Sequence, residues 1–205
     1  MSRRIYTRRA VSRGQGVFSH QITITSMAGV GGTTLYNRLN RTLGDKFEFA
    51  TAGGIFRKRG KDLGFQDIES FVIHNNAHPE EGHDEWCDDQ QRKLGKRNRV
   101  VIEGRLSHIF LPHAFRVLLV CPLHVRAQRR HEDTKGSTFE GELIKMLKRD
   151  VRDSERYDTL YPGWFWQHKD FDLVVNTAFN SDRETEKRVL EGHEKWWWHQ
   201  KKKNR

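Results

Sequence analysis

The chain has 205 residues, 35% of them hydrophobic and 31% charged, with 12 Phe, 6 Trp and 4 Tyr. That length suits one compact domain carrying an insertion and excludes two independent cores, and the aromatic content argues against a wholly disordered chain. No apolar run approaches the roughly 18 residues of a membrane span, and two cysteines, Cys87 and Cys121, with no C-x-x-C pair exclude a disulfide framework and fit a reducing compartment.

The net charge is +10 and lies wholly at the ends. Residues 1–20 hold Arg3, Arg4, Arg8, Arg9 and Arg13, and residues 195–205 hold Lys195, Lys201, Lys202, Lys203 and Arg205, with no acid in either stretch. Residues 21–194 are therefore neutral, which is unlike a domain built around a nucleic-acid groove. The expected organisation is a basic extension over 1–20, a single domain over 21–194 and a Trp/Lys-rich tail over 195–205. The Arg-rich, acid-free extension has the marks of a mitochondrial transit peptide; the alternative is a basic arm on a cytoplasmic protein. In the tail, Trp196, Trp197 and Trp198 are consecutive, so they cannot all face one core, and at least one is expected at the surface or in a partner.

Along the chain, strand and helix signals alternate. QITIT (Gln21–Thr25) reads as a short buried strand, Met27–Gly32 as a glycine-rich turn, and Leu35, Leu39 and Leu43 place a helix beginning near Thr33. Phe47–Thr51 reads as a second strand, Ile55–Leu63 and Asp67–Asn76 as helices split by Gly64, and Glu85–Lys96 as another helix. RVVIE (Arg99–Glu103) and FRVLLVC (Phe115–Cys121) are strands, and Pro122 suits the first turn of a helix reaching about His131. Residues 132–138 read as a polar loop, Phe139–Thr159 as a long helix, Phe171–Asn176 as the last strand and Asp182–Lys195 as the last helix. Five strands interleaved with helices imply an α/β fold on a mostly parallel sheet.

Strand, glycine turn, helix is the layout of a phosphate-binding loop, because free backbone N–H groups at a helix N-terminus attract phosphate. The full pattern is G-x-x-x-x-G-K-[ST]; here it reads Ser26-Met27-Ala28-Gly29-Val30-Gly31-Gly32-Thr33. Gly31 and Thr33 match, while Ser26 replaces the first glycine and Gly32 the lysine. Gly29, Gly31, Gly32, Thr33 and Thr34 are the candidate nucleotide cradle, and Thr33 the candidate Mg²⁺ position. The alternative is a tight turn that binds nothing. The missing lysine bears on rate, since deleting one such charge stabiliser typically costs about 10²–10³, or roughly 3–4 kcal/mol.

Downstream, at 100° per residue Asp153 lies about 40° to one side of Arg149 and Arg156 about 20° to the other, so the long helix presents two guanidinium groups and a carboxylate on one face. Arginines suit phosphate and the carboxylate suits a sugar hydroxyl or amino group; the alternative is a solvated salt-bridge ladder. Leu143, Met146, Leu147 and Val151 lie on another face, expected to be buried.

The chain resembles the cytidylate kinases, especially the short archaeal type, over roughly residues 21–177. The resemblance rests on ITIT before the glycine turn, AGGIFRKRGKDLG (Ala52–Gly64), HDEWCDDQQ (His83–Gln91), VVIEGRL (Val100–Leu106), CPLHVRAQRR (Cys121–Arg130), RDVRDSER (Arg149–Arg156) and FDLVVNT (Phe171–Thr177). It implies a P-loop nucleoside-monophosphate-kinase-like three-layer fold with a parallel five-stranded sheet, a monophosphate-binding insertion over about 47–97 and a short lid over about 131–139. It also implies that Arg57 grips the acceptor phosphate and Arg105 faces the cytosine. Arg149, Asp153 and Arg156 would contact acceptor phosphate and ribose, and Arg126 and Arg130 would face ATP. Arg126, Arg130 and Arg149 are thus the candidate catalytic cations, and an arginine such as Arg126 or Arg130 would have to cover for the lysine. Asp84 and Gln91 match the insertion's pattern without an assigned role.

The segment Tyr161–Trp166 is more aromatic than the family is at this place and suggests a partner surface or a hydrophobic plug. A zinc cluster of His74, His78, His83 and Cys87 is a further reading, against which Pro79 and Gly82 interrupt the helical spacing. Two functions follow. One is an ATP- and Mg²⁺-dependent kinase of CMP or dCMP, if the loop works without its lysine. The other is a non-catalytic kinase-fold subunit of a mitochondrial ribosome or other ribonucleoprotein, meeting RNA or protein through residues 1–20 and 195–205.

Overall fold

A computed structural model describes residues 20–163 and 166–203. The basic stretch up to residue 19, Trp164, Phe165 and the last two residues lie outside the described residues, and with them most of the N-terminal extension and part of the aromatic segment.

Five strands form one parallel sheet: β1 (Ile22–Thr25), β2 (Glu48–Thr51), β3 (Val100–Glu103), β4 (Phe115–Val120) and β5 (Leu173–Asn176), in the order β2-β3-β1-β4-β5. β1 is central, with Ile22 beside Val101 on one side and Phe115 on the other. All four of its residues are buried, as a strand covered on both faces requires. The connection after β1 runs to β2 on one side and that after its neighbour β4 runs to β5 on the other, and such a switch point opens a crevice at the carboxyl ends of the strands.

The helices are α1 (Gly32–Leu43), α2 (Ala52–Asp62), α3 (Ile68–Ala77), α4 (His83–Leu94), α5 (Ser107–Phe110), α6 (Leu123–Asp133), α7 (Phe139–Leu160) and α8 (Asp182–Lys203). Alternate strand residues feed two cores. Ile22, Ile24, Val101, Phe115, Val117 and Val175 pack with Leu35 and Leu39 of α1 and Val189 of α8. Val100 and Ile102 pack on the other face with Leu106, Phe110, Leu111 and Tyr161. These are the three expected layers. Arg38 Nε and Thr42 Oγ1 donate to Glu186 at 2.8 and 2.6 Å, fastening α1 to α8.

Four expectations need correction. Ser107–Phe110 forms a short helix that its length hides from periodicity. α6 runs to Asp133, so the connecting loop shrinks to residues 134–138. α8 runs through the tryptophans to Lys203: Trp196 packs at 5.7 Å from the Phe115 ring, Trp197 stacks on His20 at 4.8 Å, and Trp198 is left 50% exposed. Finally, of the α7 face expected to be buried, Met146 is buried and Leu143 half-buried, while Leu147 and Val151 are exposed. α7 packs mainly along α6 and the loop, with Tyr157 and Leu160 at its end reaching the second core, so one narrow strip of it is enough to hold it.

Candidate functional site

The carboxyl ends of β1, β2 and β3 open into a cleft of about 1150 Å³, lined by Gly29, Gly31, Gly32, Thr33 and Thr34 at one end and by Arg57, Arg105, Arg149, Asp153 and Arg156 at the other. Arg130 also lines it.

The loop owes its shape to two glycines in the left-handed region, Gly29 at φ +75° and Gly31 at φ +104°. A Cβ on Gly29 would overlap the Met146 methyl group of α7. The loop's carbonyls are engaged behind it. Ala28 O accepts from Arg126 Nη1 at 3.0 Å, and Val30 O accepts from Thr177 Oγ1 at 2.7 Å. Gly31 caps α1 with no side-chain hydrogen bond, so the amides of the first turn have no side-chain cap among the described residues. Ser26 and Gly32 explain each other, because a Cβ on Gly32 would overlap the Ser26 hydroxyl.

Arg126 is not among the lining residues. It is buried, and Asp150 holds its guanidinium (Nη2 to Oδ2, 2.6 Å) while its other edge holds Ala28 O. Its work is on the loop's back. The cleft cations from α6 are Arg129 and Arg130. Arg129 donates to Thr177 O at 2.6 Å, whereas Arg130 is exposed and makes no hydrogen bond or ion pair among the described residues.

β3 ends in Glu103, which the sequence reading left without a role. Its carboxylate stands 3.2 Å from where a Gly32 Cβ would lie. Burial pushes its pKa up, against the pull of Arg105 and Arg57. Gly104 follows because a Cβ there would come within 2.6 Å of the Ala52 Cβ; this close approach brings β3 against the start of α2. There Thr51 Oγ1 accepts from Gly54 N at 2.8 Å and caps the helix that carries Arg57.

Asp153 is the hub of the acceptor end. It pairs with Arg105, and Arg149 Nε lies 3.7 Å and Arg152 Nε 3.9 Å from its oxygens. Arg156 pairs with Asp84, whose other oxygen accepts from Asn75 Nδ2 at 3.0 Å. The expected helical face therefore exists, but its two arginines point to different carboxylates. Beyond Arg105 and Arg156 the cleft continues into a side chamber of about 190 Å³, walled by Phe56, Phe110 and Tyr157 and lined by Asp88 and Gln91. Ser107 Oγ donates to Gln91 Oε1 at 2.7 Å. Asp88 has no hydrogen-bond or ion-pair partner among the described residues, and burial raises its pKa to about 8. Asp88 was missed because one more acid in HDEWCDDQQ carries no signal; only its place in the fold sets it apart.

Comparison with known proteins agrees with this architecture. Residues 57–178 match the model of the cytidylate kinase-like family. The cytidylate kinase of Thermococcus sibiricus is 35% identical over 159 residues, covering 76% of this chain and 78% of that protein. That of Pyrococcus horikoshii is 33% identical over 158 residues, covering 77% and 79%. Among solved structures, an uncharacterized protein from Eubacterium ventriosum superposes with a TM-score of 0.65 at 14% identity, over 85% of this chain and 98% of that one. Shikimate kinase from Aquifex aeolicus superposes at 0.54 and 18%, over 85% and 96%. The structural likenesses speak to the fold, which is that of P-loop kinases. With more than half its length matched by the family model and about three quarters aligned to cytidylate kinases at a third identity, the chain belongs to the cytidylate kinase-like family.

Proposed function

We propose that the chain binds ATP and CMP or dCMP in this cleft and transfers the terminal phosphoryl group to the acceptor's phosphate. The observation that carries this reading is adjacency: the loop and the arginines line one cleft, and the aromatic side chamber adjoins it, the two sharing Ala52, Gly53, Arg105, Arg156 and Tyr157 as lining. In the reaction an acceptor phosphate oxygen attacks the terminal phosphorus as the bond to the ADP oxygen breaks. Little covalent chemistry is left to the protein, so positioning and charge stabilisation supply the rate.

Gly29, Gly31, Gly32, Thr33 and Thr34 would hold the donor phosphates through backbone amides and the threonine hydroxyls. Mg²⁺, bound with the nucleotide, supplies charge neutralisation, and Thr33 and Glu103 are the oxygen donors beside the loop suited to it. Arg57 and Arg149 would grip the acceptor phosphate. Arg105 and Arg156, oriented by Asp153 and Asp84, would hold its nucleoside, and Asp88 and Gln91 offer the polar atoms for its base. Arg130, free of partners, would supply the cation that Gly32 lacks.

The test is ADP formation from ATP and CMP by the purified chain, against an Arg156→Ala control. Turnover at least tenfold above the control supports the reading; equal rates overturn it.

A second reading, a non-catalytic subunit of a mitochondrial ribosome or other ribonucleoprotein, is favoured by Gly32 and by the end of α8. There Trp198 is exposed and Lys201 Nζ lies 5.0 and 5.1 Å from the Trp197 and Trp198 rings. It predicts salt-sensitive RNA binding that is lost when residues 198–205 are removed, a truncation that leaves Trp196 and Trp197 in their packing, with a slope set by the phosphates neutralised. RNA affinity unchanged by that truncation would count against it.

A further inference from the structure

The histidines between residues 74 and 83 meet around a residue that sequence spacing did not single out. His74 lies in the last turn of α3, Glu81 ends the 3-10 turn Pro79–Glu81, and His83 opens α4. His74 Nε2 and His83 Nε2 each lie 2.9 Å from the same oxygen of Glu81, Oε2. The three ligand atoms all lie within 4.8 Å of one another. Pro79 and Gly82, which seemed to interrupt a metal site, build this one. Pro79 opens the turn, and Gly82 at φ +68° reverses the chain, so that Glu81 reaches back between the two imidazoles.

Cys87 takes no part. It is buried and lines the side chamber, apart from the cluster that His74, Glu81 and His83 form. His78 packs its ring 4.7 Å from that of His74, but its Nδ1 faces Glu80 at 3.2 Å.

We propose that His74, Glu81 and His83 bind a divalent transition-metal ion of the zinc or cobalt class, with the remaining coordination place open to water. Two imidazoles and one carboxylate favour such a borderline ion over Mg²⁺ or Ca²⁺, which prefer all-oxygen sets. Three protein ligands with one open place is a familiar zinc count. Ligands at about 2.0–2.2 Å in a tetrahedron stand roughly 3.4 Å apart, so the two 2.9 Å pairs need to open by about half an ångström. His83, 5% exposed, is the fixed anchor; Glu81 at 41% and His74 at 32% are free enough to adjust. His83 Nδ1 is buried without a partner, which leaves Nε2 as the nitrogen that reaches the ion. The ion would tie α3 to α4 beside the Asn75–Asp84 bond, on the helix that presents Asp88 and Gln91 to the side chamber.

The test is calorimetric titration of the untagged, chelator-stripped, nucleotide-free chain with Zn²⁺ and with Co²⁺. One equivalent should bind, and Mg²⁺ at the same concentration should give no saturable heat. Glu81→Gln, an isosteric change at the surface, and His74→Ala should each weaken binding tenfold or more, while Cys87→Ser leaves it unchanged. Zn²⁺ should raise the Tm of the parent chain and not that of Glu81→Gln. No saturable binding, binding that survives both Glu81→Gln and His74→Ala, or binding that needs Cys87 overturns the assignment.

Discussion

The Ser26 hydroxyl occupies the space that a Cβ on Gly32 would take, with Glu103 Oε1 3.2 Å from the same point. The loop's two departures from its consensus thus meet in space: a side chain added at the first position crowds one at the seventh, which would require the Ser26 hydroxyl to turn away. Gly32→Lys alone should lower thermal stability and leave ATP affinity unimproved. Ser26→Gly with Gly32→Lys should tighten ATP binding at least tenfold and raise kcat by about 10²–10³, the usual worth of one such charge. Calorimetry and a coupled ADP assay on the two variants decide it; a single Gly32→Lys that matches the double variant refutes the crowding.

Arg126 and Arg130, four residues apart on one helix, should separate cleanly. Arg126→Met leaves Asp150 half-buried and unpaired and frees Ala28 O, so it should cost about 3 kcal/mol of stability. Arg130→Ala, at an exposed position without partners, should change stability by less than about 0.5 kcal/mol and lower kcat about a hundredfold. Urea denaturation and steady-state kinetics measure both; a kcat unaffected in Arg130→Ala removes it from the reaction.

Asp88 should make stability depend on pH. Arg92 opposes the rise in its pKa and Asp84, Glu85 and Asp89 add to it, but burial dominates and carries it from 3.8 to about 8. Between those values the folded chain holds a proton that the unfolded chain has released. The stabilisation is complete below pH 4 and is lost as pH rises to about 8, at up to about 1.4 kcal/mol per unit. Asp88→Asn lacks this contribution, so the difference in stability between parent and variant should move in the variant's favour from pH 5 to 8. Parallel pH profiles would show Asp88 ionised throughout.

The three adjacent tryptophans should differ sharply. Trp196 packs on Phe115 in the main core, and its replacement by Ala should cost about 3 kcal/mol. Trp198→Ala should cost less than about 0.5 kcal/mol. If the second functional reading holds, Trp198→Ala should instead weaken RNA binding, with stacking worth about 1–3 kcal/mol per base. Denaturation and RNA titration read the two effects separately.

Local chemistry alone marked out the alternating elements, the glycine turn after the first strand and the arginine face of the long helix. Each depends on residues within a few positions of one another, so helical and strand periods and backbone freedom reveal them. Leu147 and Val151 misled because periodicity says which residues share a face but not what covers it; α7 lies along α6 and the loop, and most of its apolar strip faces outward. The resemblance implies that Arg126 faces ATP. Only the fold shows its guanidinium closed between Asp150 and a loop carbonyl 98 residues away in sequence. Asp88 and Glu81 were two acids among many until packing buried one without a partner and set the other between two imidazoles. Charge, size and period are properties of the residue and its neighbours in sequence. Desolvation and convergence are properties of distant segments brought together, and they decide which of those residues are available for chemistry.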